Sequence, residues 1–159
     1  MKKIFFFNSI IVIFIIIFIE IIIRSFGIVS LQGVDKKAIY LDAGTILHKP
    51  NLVFKAFGKK IKTDEFGFRI PFEKFEYDKK LKTILFLGDS VTFGHGVDEK
   101  NSFVGKLRNN ISKNLKNTAV AGYHIQDYSV SLKRYHLLFL DIDEVIVILC
   151  LNDILLEAG

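Results

Sequence analysis

A chain of 159 residues fits one domain or part of one. Half of its residues are hydrophobic, and the formal net charge is +5. A single cysteine, Cys150, excludes an internal disulfide framework and any multi-cysteine metal site.

The apolar excess is concentrated at the start. Ile4–Ile23 is almost wholly Ile, Phe and Val, broken by Asn8, Ser9 and Glu20. At about 1.5 Å per residue, this span reaches roughly 30 Å, the thickness of a bilayer core. Residues 1–24 therefore predict an uncleaved transmembrane anchor. The rival reading is a signal peptide with Lys2 and Lys3 as its basic start. The run is long for such a segment, and no small-x-small cleavage site follows it. Lys2, Lys3 and the amino terminus favour an N-terminus in the cytoplasm, with the rest on the outer (periplasmic or extracellular) side. Arg24, Lys36 and Lys37 on the other flank weaken that bias.

Residues 25–44 read as a connection carrying Gly27, Gly33 and Gly44, and residues 45–82 as an irregular, basic preface. Residues 33–82 carry twelve Lys/Arg against seven Asp/Glu, whereas residues 83–159 are net acidic. The basic excess lies next to the predicted anchor, where anionic headgroups are its natural surroundings. No aromatic-interleaved basic module supports a nucleic-acid partner.

From residue 83 the pattern alternates between strand and helix. Thr83–Leu87 predicts a buried strand. Asn101 or Ser102 predicts a cap for a helix to about Asn114, with Phe103, Leu107 and Ile111 on one face. Asn117–Ala121 predicts a second strand, ending at Gly122. Gln126–Leu140 predicts a helix with Tyr128, Leu132, Tyr135 and Phe139 at helical spacing. Val145–Leu151 predicts a third strand, apolar on both faces, with Cys150 as a buried structural thiol. Such alternation implies a parallel sheet covered on both faces, with ligands bound beyond the carboxyl ends of its strands.

Three polar or permissive residues fall at those ends: Ser90, Gly122 and Asn152. Ser90 suits a nucleophile. A helix beginning soon after it would favour negative charge there. The Ser90 N–H, the Gly122 N–H and the Asn152 side-chain amide together suit an oxyanion hole. Singly, a turn glycine explains Gly122 and a helix cap explains Asn152 with Asp153. In order and at matching strand ends, they favour a common site. Asp89, His95 and His124 are candidate pocket residues. Nothing in the sequence calls for a cofactor or a metal.

Three blocks carry a resemblance to a known family. Gly88-Asp89-Ser90-Val91-Thr92-Phe93-Gly94, Asn117-Thr118-Ala119-Val120-Ala121-Gly122-Tyr123 and Leu151-Asn152-Asp153 resemble the first three blocks of the SGNH (GDSL-type) hydrolases. Upstream, His48-Lys49-Pro50-Asn51 and Thr63-Asp64-Glu65-Phe66-Gly67-Phe68-Arg69 are similar to the preface of its membrane-anchored bacterial members. The resemblance spans residues 45–159. It implies a flavodoxin-like three-layer α/β fold with a parallel sheet, of which residues 83–159 are the N-terminal part. It also implies Ser90 as nucleophile, Gly122 and Asn152 as oxyanion donors, and an ester-bearing substrate. A small molecule or a cell-envelope glycan or lipid would fit a site tethered to a lipid bilayer.

Two departures stand out. Cys150 occupies a position where the family usually has Gly. The family's base is a His in an Asp-x-x-His segment, whereas His48, His95, His124 and His136 follow Thr45, Thr92, Ala121 and Lys133 at that spacing. The resemblance implies at least one more strand and helix after the third block. The sequence therefore predicts an incomplete ester-hydrolase domain, inactive as written. The rival readings are a membrane-tethered binding domain that keeps only the pocket and, from another class, a receiver-like phosphoacceptor using Asp89 or Asp153.

Overall fold

Six buried residues in a row, Thr83–Gly88, form a strand with a parallel neighbour on each side. Ile84 and Phe86 face one side of the sheet, and Leu85 and Leu87 face the other. A strand buried on both faces needs cover on both, and the flanking elements supply it. The computed structural model describes residues 2–25, 36–138 and 141–151. The chain divides into two units, Met1–Gly33 and Val34–Gly159.

The first unit contains α1, Lys2–Ser25. Its segment Phe7–Ser25 is long and apolar enough to cross a membrane, which suits either an anchor or a signal sequence. Its polar exceptions near the far end are paired, because Arg24 Nε donates to Glu20 Oε1 at 2.7 Å, one turn away.

The second unit begins with two hairpins. β1 (Ile39–Asp42) pairs antiparallel with β2 (Thr45–His48), and β3 (Val53–Ala56) with β4 (Lys59–Thr63). A two-residue strand, β5 (Arg69–Ile70), precedes β6 (Thr83–Gly88). A four-residue helix, α2 (Ser90–Phe93), and a six-residue helix, α3 (Phe103–Arg108), lead to β7 (Asn114–Asn117). Then follow α4 (Ile125–Leu138) and β8 (Ile142–Ile148). The main sheet has the order β3-β4-β5-β7-β6-β8. β7 and β8 flank β6 in parallel, while β3, β4 and β5 join antiparallel. The sheet is therefore mixed, and only its later half has the parallel pairing expected. The residues expected to be an irregular preface supply three of its six strands.

Three apolar clusters hold the layers. Leu85 and Leu87 pack with Tyr123, Tyr128 and Tyr135 beneath α4. Ile84 and Phe86 pack with Val104 and Leu115 beneath α3. Phe54, Ala56, Ile61, Phe93 and Ala119 join the β3–β4 hairpin to α2. Several boundaries differ from expectation. The helix expected to run to Asn114 ends at Arg108, because Asn114 opens β7. Val104 and Gly105 are its buried residues, Phe103 and Leu107 pack partly buried against the same cluster as expected, and Ile111 lies beyond the helix. On α4, Tyr128 and Tyr135 are buried as expected but Leu132 is exposed. Phe139 lies outside the described residues. The third strand comes earlier, at Ile142–Ile148. It is an edge strand, and Val145, Ile146 and Val147 are exposed among the described residues. Its register slips between Thr83 and Ile84, and Asp143 Oδ2 accepts the Thr83 N–H there at 2.8 Å.

His48 ends β2 and is stacked between two rings, 5.5 Å from Phe54 and 4.8 Å from Phe93. Burial, and then the neighbouring Arg69 cation, lower its pKa from 6.5 to about 4. The folded state therefore holds His48 neutral. Its contribution to stability is complete above about pH 6.5 and is lost as pH falls toward 4, a change of roughly 3 kcal/mol at 1.36 kcal/mol per unit. Urea unfolding of the full chain in detergent should show stability falling across this window. His48→Phe should flatten that slope, and equal slopes in the two proteins would contradict the assignment.

Candidate active site

The turn after β6 is built by what Gly88 permits. A Cβ at Gly88 would overlap Oγ1 and Cβ of Thr92, which is fully buried on the next turn. Asp89 then caps α2, its Oδ1 accepting the Val91 N–H at 2.9 Å. Asp89 is only 2% exposed. Its Oδ2 accepts a long 3.4 Å hydrogen bond from Ser90 Oγ, and its Oδ1 also accepts from Cys150 Sγ at 3.3 Å. Ser90 is half-buried at the carboxyl end of β6. The expected support from a helix dipole is not present, because α2 ends after four residues at Gly94, with φ +82°. A macrodipole needs several aligned turns.

The carboxyl end of α2 is held from outside. Thr92 O accepts from Asn117 Nδ2 at 2.9 Å. Phe93 O and Gly94 O each accept from Arg69 Nη1 at 2.6 Å, and Val97 O accepts from Arg69 Nη2 at 2.6 Å. Arg69 is 1% exposed, and its guanidinium lies 5.1 Å from the Phe93 ring centre. Burial lowers its pKa to about 10, which leaves it a cation at neutral pH, while Glu99 and Asp98 oppose the shift. Neither Arg69 nor Asn117 is marked as a site residue by the sequence alone. The sequence carries no local signal for Arg69, whose role follows from its burial, since a fully buried guanidinium must find several acceptors.

The second block comes close to the first. β7 ends at Asn117 rather than Ala121. Its backbone still runs on along β6, because Thr118 N–H reaches Phe86 O and Val120 N–H reaches Gly88 O. The turn that follows is closed by Tyr123 N–H to Val120 O, with Gly122 at φ +88°. Glycine is required there for its backbone conformation. A Cβ at Gly122 would meet nothing within 4 Å, so space is open beside it. Asn152 lies outside the described residues. Two residues earlier, Cys150 contacts Asp89 and is half-buried rather than fully buried.

No histidine ring hydrogen-bonds Ser90 among the described residues. The His95 backbone N–H donates to Ser90 O at 3.0 Å. Its ring packs against Phe57 and Phe93 instead, and Nε2 is buried without a partner. Burial, then Arg69, lower its pKa to about 4, with Asp89 opposing. His124 opens toward α4, where its backbone N–H donates to Asp127 Oδ2 at 2.9 Å, and its Nδ1 is buried without a partner. His136 is exposed on α4.

A cleft of about 660 Å³ lies elsewhere. Its lining includes Thr83 and Asn114, the first residues of β6 and β7, so it opens at the strands' amino ends. Its buried charges are engaged. Asp64 accepts from the Phe66 and Phe68 N–H groups and from Tyr77 Oη, and Lys116 Nζ lies 4.0 Å from the Tyr77 ring centre. Burial raises the Asp64 pKa and lowers that of Lys116.

Comparison with known proteins gives no match to any family model and none to a curated protein.

Gly88→Ala should cost about 1–3 kcal/mol, the usual range for overpacking. In a Thr92→Ala background the cost should shrink, and strict additivity in the double-mutant cycle would contradict the contact. Arg69→Met strips three carbonyls of their donor and should cost about 2–4 kcal/mol. Hydrogen exchange should quicken most in residues 93–97, and a uniform rise across the domain would contradict a local role.

Proposed function

We propose that the chain is a membrane-anchored ester hydrolase of the SGNH (GDSL) type, with residues 34–159 carrying the nucleophile and the first oxyanion elements. The observation that carries this reading is the Gly88-Asp89-Ser90 turn at the carboxyl end of β6, which has parallel neighbours on both sides. Helices α3 and α4 on opposite faces suit a three-layer, flavodoxin-like arrangement of this part. The antiparallel strands β3–β5 are an addition to that arrangement.

On this reading Ser90 Oγ attacks an ester carbonyl carbon. The C–O bond forms as the carbonyl π pair moves to its oxygen, and the alkoxide is later expelled from the tetrahedral intermediate. The Ser90 and Gly122 N–H groups and the Asn152 amide are the proposed donors to the oxyanion. The open space at Gly122 and its link through Val120 to Gly88 support that role. The Ser90 proton requires a base. Asp89 is a poor one, because its Oδ1 serves in the cap and the thiol contact, and Oδ2 meets the Ser90 hydroxyl only at a long 3.4 Å. The helix α1 is read as an uncleaved anchor with its N-terminus in the cytoplasm and Ser90 on the outer side, facing envelope esters.

A second reading has its own observation. With no histidine ring on Ser90 among the described residues, a tethered binding domain that keeps the pocket but not the reaction also fits. A phosphoacceptor role for Asp89 fits poorly, since such a carboxylate must be open to the phosphodonor and Asp89 is buried.

The 159-residue chain should show no Ser90-dependent turnover of a short-chain nitrophenyl ester. Strong turnover abolished by Ser90→Ala would overturn this and demand a substitute base, with His95→Ala as the next variant to assay.

A further inference from the structure

The β3–β4 hairpin breaks two local rules at once. Lys55 on β3 stands directly opposite Lys60 on β4, and like charges so placed repel. Both side chains are exposed, and among the described residues neither has an ion-pair partner. The turn between them is Phe57-Gly58, with φ +50° at Phe57. Asn or Gly suits that conformation, and a bulky ring does not. Phe57 as a whole nevertheless remains 45% exposed. Val53, in line with Lys55 along β3, adds another exposed apolar side chain. A lysine on an edge strand guards against unwanted pairing, which accounts for Lys55. It does not account for a second lysine facing it from β4, an interior strand, or for an aromatic ring at the tip.

An exposed ring flanked by lysines without acidic partners is complementary to an anionic bilayer. The ring enters the headgroup layer while the ammonium groups meet phosphates. A membrane is the fitting partner on other grounds too, because the same chain carries an apolar helix long enough to cross one. The hairpin also lies within the strongly basic stretch, residues 33–82.

We propose that the β3–β4 hairpin docks on the headgroup layer of an anionic bilayer, with Phe57 as the inserted tip and Lys55 and Lys60 as the phosphate-facing cations. The hairpin is fixed to the Ser90 loop. The Phe57 ring packs edge-on against His95, whose N–H donates to Ser90 O, and Lys59 Nζ pairs with Asp98 Oδ2 at 3.0 Å. Docking therefore brings the Ser90 turn to headgroup level. On the hydrolase reading, on which this last step alone rests, the ester it meets is carried at the membrane surface by an anionic lipid.

The chain has no tryptophan, so Phe57→Trp introduces a single reporter. The full chain carrying it is reconstituted in nanodiscs of phosphatidylcholine alone and of phosphatidylcholine with phosphatidylglycerol. The expected result is blue-shifted emission in the anionic discs, quenched several-fold more by brominated lipid than in neutral discs. Lys55→Glu with Lys60→Glu should abolish the difference. Equal emission and quenching in both discs, or quenching that survives the charge reversal, would overturn the proposal. Hydrogen exchange of residues 53–63 in the unaltered chain gives a second readout should the tryptophan variant misfold. Protection in anionic discs alone supports docking, and unchanged rates overturn it. Protection reproduced in neutral discs by soluble glycerol phosphate would mean a free-phosphate site and also overturn it. No arm depends on turnover, so these failures stay separate from failure of the hydrolase reading.

Discussion

Three successive carbonyls at the end of a four-residue helix need donors in the protein interior, and one cross-strand pair of residues supplies them. Arg69 on β5 and Asn117 on β7 are direct register partners. Asn117 takes Thr92 O, and Arg69 takes Phe93 O and Gly94 O. A longer helix would bond most of its own carbonyls and leave only the last turn to its caps. Here the helix is nearly all termini, so its geometry is imposed from the sheet. The planar guanidinium suits the task because its donors diverge from one centre toward several acceptors. The Ser90 turn is thus held at its start by the Asp89 cap and the Gly88–Thr92 contact, and at its end by two strands.

The environment around that turn is largely closed to proton transfer. Asp89 Oδ1 is committed to the Val91 N–H and the Cys150 thiol, and Oδ2 takes only the long contact from Ser90 Oγ. His48 and His95 are pressed toward the neutral form by burial and by the Arg69 charge. The same buried cation that fixes the loop therefore discourages a second positive charge nearby. The two histidines nearest to the loop serve as aromatic packing, the one against Phe54 and Phe93 and the other against Phe57.

Legibility in the sequence followed the strength of local patterns. Thr83–Gly88 was readable because six consecutive buried positions leave a continuous apolar run ending in Gly-Asp-Ser. The hairpins of residues 39–63 were not. Their turns are Ala43-Gly44 and Phe57-Gly58, which lack the Asn or Asp that marks a two-residue turn, and lysines interrupt their strands. β7 was placed three residues late because Asn114 and Lys116 look like loop residues. Both are buried through partners remote in sequence: Asn114 through Asp78 and Leu81, Lys116 against the Tyr77 ring. The exposure of β8 was also hidden, since its apolar sequence is that of an interior strand, whereas sheet order puts it at an edge. At the site, Ser90 and Gly122 stood out by residue type and spacing. Arg69 and Asn117 did not, because their roles consist of contacts with carbonyls 24 or more positions away.

The pairing of β5 with β7 also bears on how the protein is made. β5 leaves the ribosome well before the strand it pairs with, and everything from β6 to α3 comes between them. Until Asn117 emerges, β3, β4 and β5 have no strand pairing with the parallel half of the sheet, and only side-chain contacts such as those of Arg69 reach the segment after β6. Non-local pairing of this kind is slow, because loop closure must precede the gain from contact. The nascent chain therefore passes through a stage in which its basic hairpins are out and its central sheet is not yet assembled. Arrival of β7 is the step that joins the early and late strands into one sheet.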